Sequence, residues 1–132
     1  MVYCNIMDVR RRIPEVTSDN IPDYDIKEFI IEASGYINDA LRETYTVPFE
    51  TVPASIENIC SMWAAYLALT LYPDGTVEDD LVRMKRDIDS LLNKYVSGKY
   101  SLGSEYELET PLSDSFYFVS TKTKYSYYGV DE

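Results

Sequence analysis

Between Pro53 and Pro73 the chain places Ile56, Ile59, Cys60, Trp63, Ala64, Leu67, Ala68 and Leu71 at helical spacing, and from Met62 onward nearly every side is apolar. A helix that is apolar all round has to be enclosed by other elements, so this segment dictates a bundle with itself as the most buried member. The apolar run from Met62 to Tyr72 falls short of the roughly 20 residues that a membrane span takes, so a soluble protein with no membrane association is expected. Trp63 and Leu67 are expected at the centre of the core. Pro53 suits the first turn of this helix, and Pro73-Asp74-Gly75 breaks it.

Three further helices supply the enclosure. Asn5 and Asp8 form a capping-box pair ahead of Ile6, Val9 and Ile13, with Pro14 ending a short first helix. Pro22, Asp23 and Asp25 prepare a long second helix to about Thr44, in which Ile26, Phe29, Ile30, Ala33, Ile37, Ala40 and Leu41 share one face. Gly35 inside it costs roughly 1 kcal/mol relative to Ala, which suggests that a neighbouring helix approaches closely there. Tyr45 to Thr51 is a linker. Thr76 and Asp79 cap a last helix carrying Leu81, Met84, Ile88, Leu91, Leu92 and Tyr95 inward, with Gly98 as its C-terminal stop. The fold class is therefore mainly α: a bundle of about four helices over residues 1 to 98.

After Gly98 the period changes. Tyr100, Leu102, Tyr106 and Leu108 alternate with polar residues, Pro111 interrupts, and Phe116-Tyr117-Phe118-Val119 reads as strand. Residues 99 to 132 form an extended, partly β C-terminal arm with too few apolar residues for a second core. Fully extended, they would reach roughly 110 Å. Tyr100, Phe116, Tyr117, Phe118, Val119, Tyr125, Tyr127 and Tyr128 offer aromatic anchors beside free backbone groups, a combination suited to strand addition on a partner; the arm folded back as a hairpin on its own helices is the competing picture.

Composition narrows function from another side. The chain has no histidine, 13 tyrosines and a formal net charge of −11, from 23 acidic and 12 basic residues among 132. Without histidine most designs for general acid–base or nucleophilic catalysis are closed. Neither a catalytic residue, a metal nor a cofactor is expected, and the chain is read as not an enzyme. An acidic surface repels phosphate backbones, while tyrosine concentrates at protein contacts. Cys4 and Cys60 match no zinc or redox spacing and favour a reduced cytosolic protein, and no secretory signal is visible at the N-terminus.

The remaining polar clusters have ordinary explanations. Glu28 with Glu32, Asp79 beside Asp80 and Asp87 near Asp89 could hold a magnesium ion, but solvated helix faces and helix starts carry such charges as a matter of course. Arg10-Arg11-Arg12 could meet nucleic acid or an acidic partner, and equally suits the C-terminal end of a helix dipole. The segment Trp63 to Leu71 suits a core better than a ligand pocket.

The order of these segments is itself recognisable. A short helix near Asp8-Val9 is followed by a long one ending in Tyr36-Ile37-Asn38-Asp39-Ala40-Leu41. Then come Tyr45-Thr46-Val47-Pro48-Phe49, Val52-Pro53, the apolar helix, and Leu91-Leu92-Asn93-Lys94-Tyr95-Val96-Ser97-Gly98. This resembles the head-tail connector (adaptor, or head-completion) family of tailed bacteriophages, including the Mu-like type, over about Tyr3 to Leu102. The resemblance implies a structural virion protein that forms a homo-oligomeric ring between the portal protein and the tail or stopper proteins, made in the host cytoplasm and placed at the virion neck. DNA would pass through without sequence-specific binding, and an acidic conduit would let the duplex slide. Two rivals from other classes suit the same charge: a DNA-mimicking inhibitor, and a carboxylate-dependent metal enzyme. The Lys and Arg interspersed on every helix count against mimicry.

Overall fold

Asn5 opens the first helix by accepting the Asp8 N–H at 2.9 Å, while the Asp8 carboxylate accepts the Asn5 N–H at 3.1 Å, the reciprocal pair foreseen from the sequence. The computed structural model describes residues 2–72 and 78–108. Among these, four α-helices follow one another: α1 (Ile6–Arg12), α2 (Asp23–Leu41), α3 (Ala54–Leu71) and α4 (Glu78–Val96), with a 3-10 turn at Ser104–Tyr106. The β content is an isolated antiparallel bridge between Tyr45 and Glu107.

Helix α3 is the hub. It packs against α1, α2 and α4, most extensively against α2. Its buried set comprises Ile56, Ile59, Cys60, Ser61, Trp63, Ala64, Ala65, Ala68 and Leu69. The small residues in that set let neighbouring backbones approach, while the isoleucines interlock with Ile26, Ile30, Ile37 and Leu41 of α2 and with Ile88 and Leu92 of α4 to form one core. Burying each such side chain contributes about 1.5–3 kcal/mol before entropic costs. Pro53 stands one position outside the helix as its N-cap, with φ −62° and ψ 147°.

Several expectations need correcting. Leu67 is only half-buried and Leu71 is 59% exposed, because α1, α2 and α4 enclose the opposite sides of α3 and leave this stripe at the rim. Gly35 lies on the exposed side of α2, where an added Cβ would meet nothing within 4 Å, so no close helix approach requires it. Helix α2 stops at Leu41, and the following turn is closed by the Thr44 and Tyr45 N–H groups donating to the Leu41 carbonyl. The Thr76 cap and the 73–75 breaker lie outside the described residues.

Before α1, the N-terminal segment is fastened into the core by Tyr3. Its N–H donates to the Ser34 hydroxyl at 3.1 Å, its hydroxyl donates to the Asn38 side-chain oxygen, and its ring is 2% exposed. Phe49, from the α2–α3 linker, packs against that ring with centroids 5.5 Å apart.

Candidate functional site: the root of the C-terminal arm

Gly98 ends α4 with φ +86°, a left-handed conformation that glycine adopts without strain. The Tyr100 N–H reaches back to the Lys94 carbonyl at 2.9 Å, and the Gly98 N–H to that of Tyr95 at 3.4 Å, so the last carbonyls of the helix are satisfied as the chain turns away. Tyr100 is 42% exposed, with its ring edge-on to Tyr95 at 5.6 Å and the Lys94 ammonium over its face at 5.2 Å. Of the residues the sequence singled out for partner binding, Tyr100 is therefore presented at the surface. Phe116, Tyr117, Phe118, Val119, Tyr125, Tyr127 and Tyr128 lie outside the described residues.

The first ten residues of the arm return to their own bundle. Gly103, at φ +117°, reverses the chain into the Ser104–Tyr106 turn, and Ser101 braces it by accepting the Gly103 N–H and donating to the Glu107 carboxylate, both at 3.0 Å. The Thr46 N–H then donates to the Tyr106 carbonyl at 2.7 Å and the Leu108 N–H to the Thr44 carbonyl at 3.1 Å. Tyr106 sets its ring edge-on to Phe49 at 5.7 Å. Beneath this bridge Tyr45 is 2% exposed, and burial pushes its phenol pKa up.

Two open clefts flank the bridge. One, of about 260 Å³, lies between Arg42, Val47, Pro48 and Leu108; the other, of about 540 Å³, lies between Pro48, Phe49, Glu50 and Tyr106. Neither gathers groups that would perform chemistry. The anchoring role of Tyr106 and Leu108 was foreshadowed by their alternation with polar residues, but their partners, Thr44 and Thr46, sit in a linker that carries no strand signal.

The side chains of the arginine triplet are all engaged with other residues of the chain. The Arg10 guanidinium donates to the Val16 and Ile21 carbonyls at 3.2 and 2.7 Å and pairs with Asp23 at 2.7 Å. Arg12 donates to the Ser61 hydroxyl at 2.8 Å and to the Asn58 side chain, tying α1 to α3. Arg11 faces solvent, paired with Asp8 at 3.3 Å. All three also stand in the last turn of α1, where its dipole favours them.

The carboxylate pairs do not converge. Glu28, Glu32 and Asp79 are exposed, Asp80 pairs with Arg83 at 2.7 Å, and Asp89 pairs with Lys85 at 2.9 Å. Among the described residues no three metal-ligating side chains gather. Nor is any described helix long and apolar enough to cross a membrane. Trp63 stacks on Tyr36 at 4.6 Å and on Tyr66 at 5.5 Å, with Lys85 5.5 Å above its ring, so the expected core tryptophan also underlies an aromatic seam at the junction of α2, α3 and α4.

Comparison with known families gives a match to the family described as Bacteriophage Mu, Gp36, over residues 3–120. The chain belongs to the Bacteriophage Mu Gp36 family. The Gp36 match takes in all four helices, the bridge to residues 44–46 and the run Phe116 to Val119, and so extends past Leu102, where the resemblance read from the sequence ends. No curated protein matches the chain. Membership makes it a phage structural or assembly protein.

Proposed function

We propose that this phage protein is a non-enzymatic head-tail connector subunit, assembling as a ring between the portal and the tail proteins and letting DNA pass without sequence-specific binding. The observation that carries this reading is the arm root. Backbone hydrogen bonds at Thr44 and Thr46 fix residues 106 to 108 on the bundle, so the chain beyond Leu108 departs from a defined point with its aromatic residues still ahead of it. A subunit that has to grip neighbours while its bundle stays folded needs this separation of anchor from grip. Membership of the Gp36 family over both parts supports it. The acidic side chains engaged by Arg42, Arg83 and Lys85 suit a solvated, mixed-charge surface better than a phosphate-like array.

The deciding experiment mixes purified protein with portal-bearing capsids of its phage and images the vertex, using the whole chain and a version lacking residues 109–132. The whole chain should add ring density below the portal. The truncated chain should keep its melting temperature and fail to attach. Absence of added density with the whole chain would end the connector reading, and normal attachment of the truncated chain would remove the arm from it.

A further inference from the structure

The two cysteines, 56 positions apart, meet in the core: the Cys4 and Cys60 sulfurs are 3.2 Å from each other, both reduced. Cys60 is fully buried on α3, next to the Ser34 hydroxyl at 3.5 Å, whereas Cys4 is 8% exposed on the non-helical segment before α1. Nothing in the connector role uses this pair. We propose that Cys4 and Cys60 are a built-in dithiol that a small-molecule disulfide oxidant converts to an intramolecular disulfide, stapling the N-terminal segment to α3.

The geometry prescribes the order of steps. The more accessible Cys4, as thiolate, attacks one sulfur of the oxidant R–S–S–R, forming a Cys4–S–S–R mixed disulfide and expelling R–S⁻, which takes up the proton Cys4 lost. Cys60, as thiolate, then attacks the Cys4 sulfur, expelling the second R–S⁻, which takes the Cys60 proton. Two thiols are oxidised and one external disulfide is reduced to two R–SH. Because the sulfurs already touch, the second step is intramolecular and fast, and the bond needs a closure of only about 1 Å, which the irregular backbone around Cys4 allows more readily than a helix would.

The reduced state is also well protected. Cys4 donates its hydrogen bond to Cys60 and lies in the core near Asp8 and Glu57, and all of these push its pKa upward. Cys60 is pushed the other way, chiefly by the hydrogen bond it accepts from Cys4, so access and not thiol acidity makes Cys4 the first nucleophile. In a reducing cytosol the pair stays open; in an oxidising medium it closes.

The test exposes the folded, full-length chain to glutathione disulfide and follows it by intact mass, peptide mapping and thermal melting. The expected product is a monomer lighter by two hydrogens, with Cys4 linked to Cys60 and a melting temperature raised by on the order of 10 °C, reversed by dithiothreitol. In parallel, Cys60→Ser should trap a glutathione adduct on Cys4, and Cys4→Ser should leave Cys60 unmodified. Thiols that stay free under oxidant, cross-linked dimers in place of the internal bond, or an internal bond without a rise in melting temperature would overturn the proposal. An adduct on Cys60 in the Cys4→Ser chain, with none on Cys4 in Cys60→Ser, would reverse the order of attack and overturn the mechanism as written.

Discussion

The Tyr3 hydroxyl accepts the backbone N–H of Phe49 at 3.0 Å across 46 positions of sequence. Both residues are buried, so the hydroxyl satisfies an amide that no other described group reaches. Tyr3→Phe keeps the ring but orphans that amide, and should cost about 1–3 kcal/mol in urea unfolding. A loss below about 0.5 kcal/mol would mean the amide finds another acceptor.

Gly35→Ala should stabilise the protein. The new methyl group meets no atom within 4 Å and φ is ordinary for a helix, so the change removes only glycine's backbone entropy penalty, about 0.5–1 kcal/mol. Thermal melting should shift upward, and a downward shift would show that the added methyl group is not free of contacts at this face.

Arg10→Ala should cost about 1.5–3 kcal/mol, since its side chain, 18% exposed, satisfies the Val16 and Ile21 carbonyls of the α1–α2 connection. Asp23→Asn should cost under about 1 kcal/mol, because that carboxylate is 64% exposed and its pairing is screened by water. Equal losses in the two variants would show that the ion pair, rather than the carbonyl contacts, carries the energy.

Alkaline pH should weaken the fold in a definite window. Burial raises the phenol pKa of both Tyr36 and Tyr45 above the ordinary 10.0, with the Asp89 charge adding to the effect at Tyr36. The folded chain thus holds these protons more tightly than the unfolded one. Their contribution is fully present below about pH 10 and is lost as pH rises through the higher folded values. Stability measured from pH 9 to 12 should fall more steeply for the parent chain than for Tyr45→Phe.

Much of the helical frame was readable because its signals are local. Asn5 with Asp8, Pro22 with its following acids, Pro53 and Gly98 each act within one turn of where they stand, and the structure has them at helix ends. Periodicity located Ile59 and Ile88 in the core but misjudged Leu67, since the pattern says which residues are apolar and not how far round α3 its neighbours reach. Ile59→Ala should accordingly cost about 2–5 kcal/mol and Leu67→Ala distinctly less. The arm root was the least legible part. Its anchor joins Tyr106 and Leu108 to Thr44 and Thr46 through backbone groups, which every residue possesses and no sequence advertises. The same is true of the contact between Cys4 and Cys60, whose separation in sequence matches no motif.

Phe49 sits against the rings of both Tyr3 and Tyr106, so the root of the arm and the N-terminal segment share one anchor. Tension applied to the chain beyond Leu108 would load the two backbone hydrogen bonds at Thr44 and Thr46 before it reached α4 along the backbone, and Phe49 would pass part of it to Tyr3, which is bonded to Asn38 on α2. A pull on the arm would therefore meet a short mechanical clamp before it meets α4.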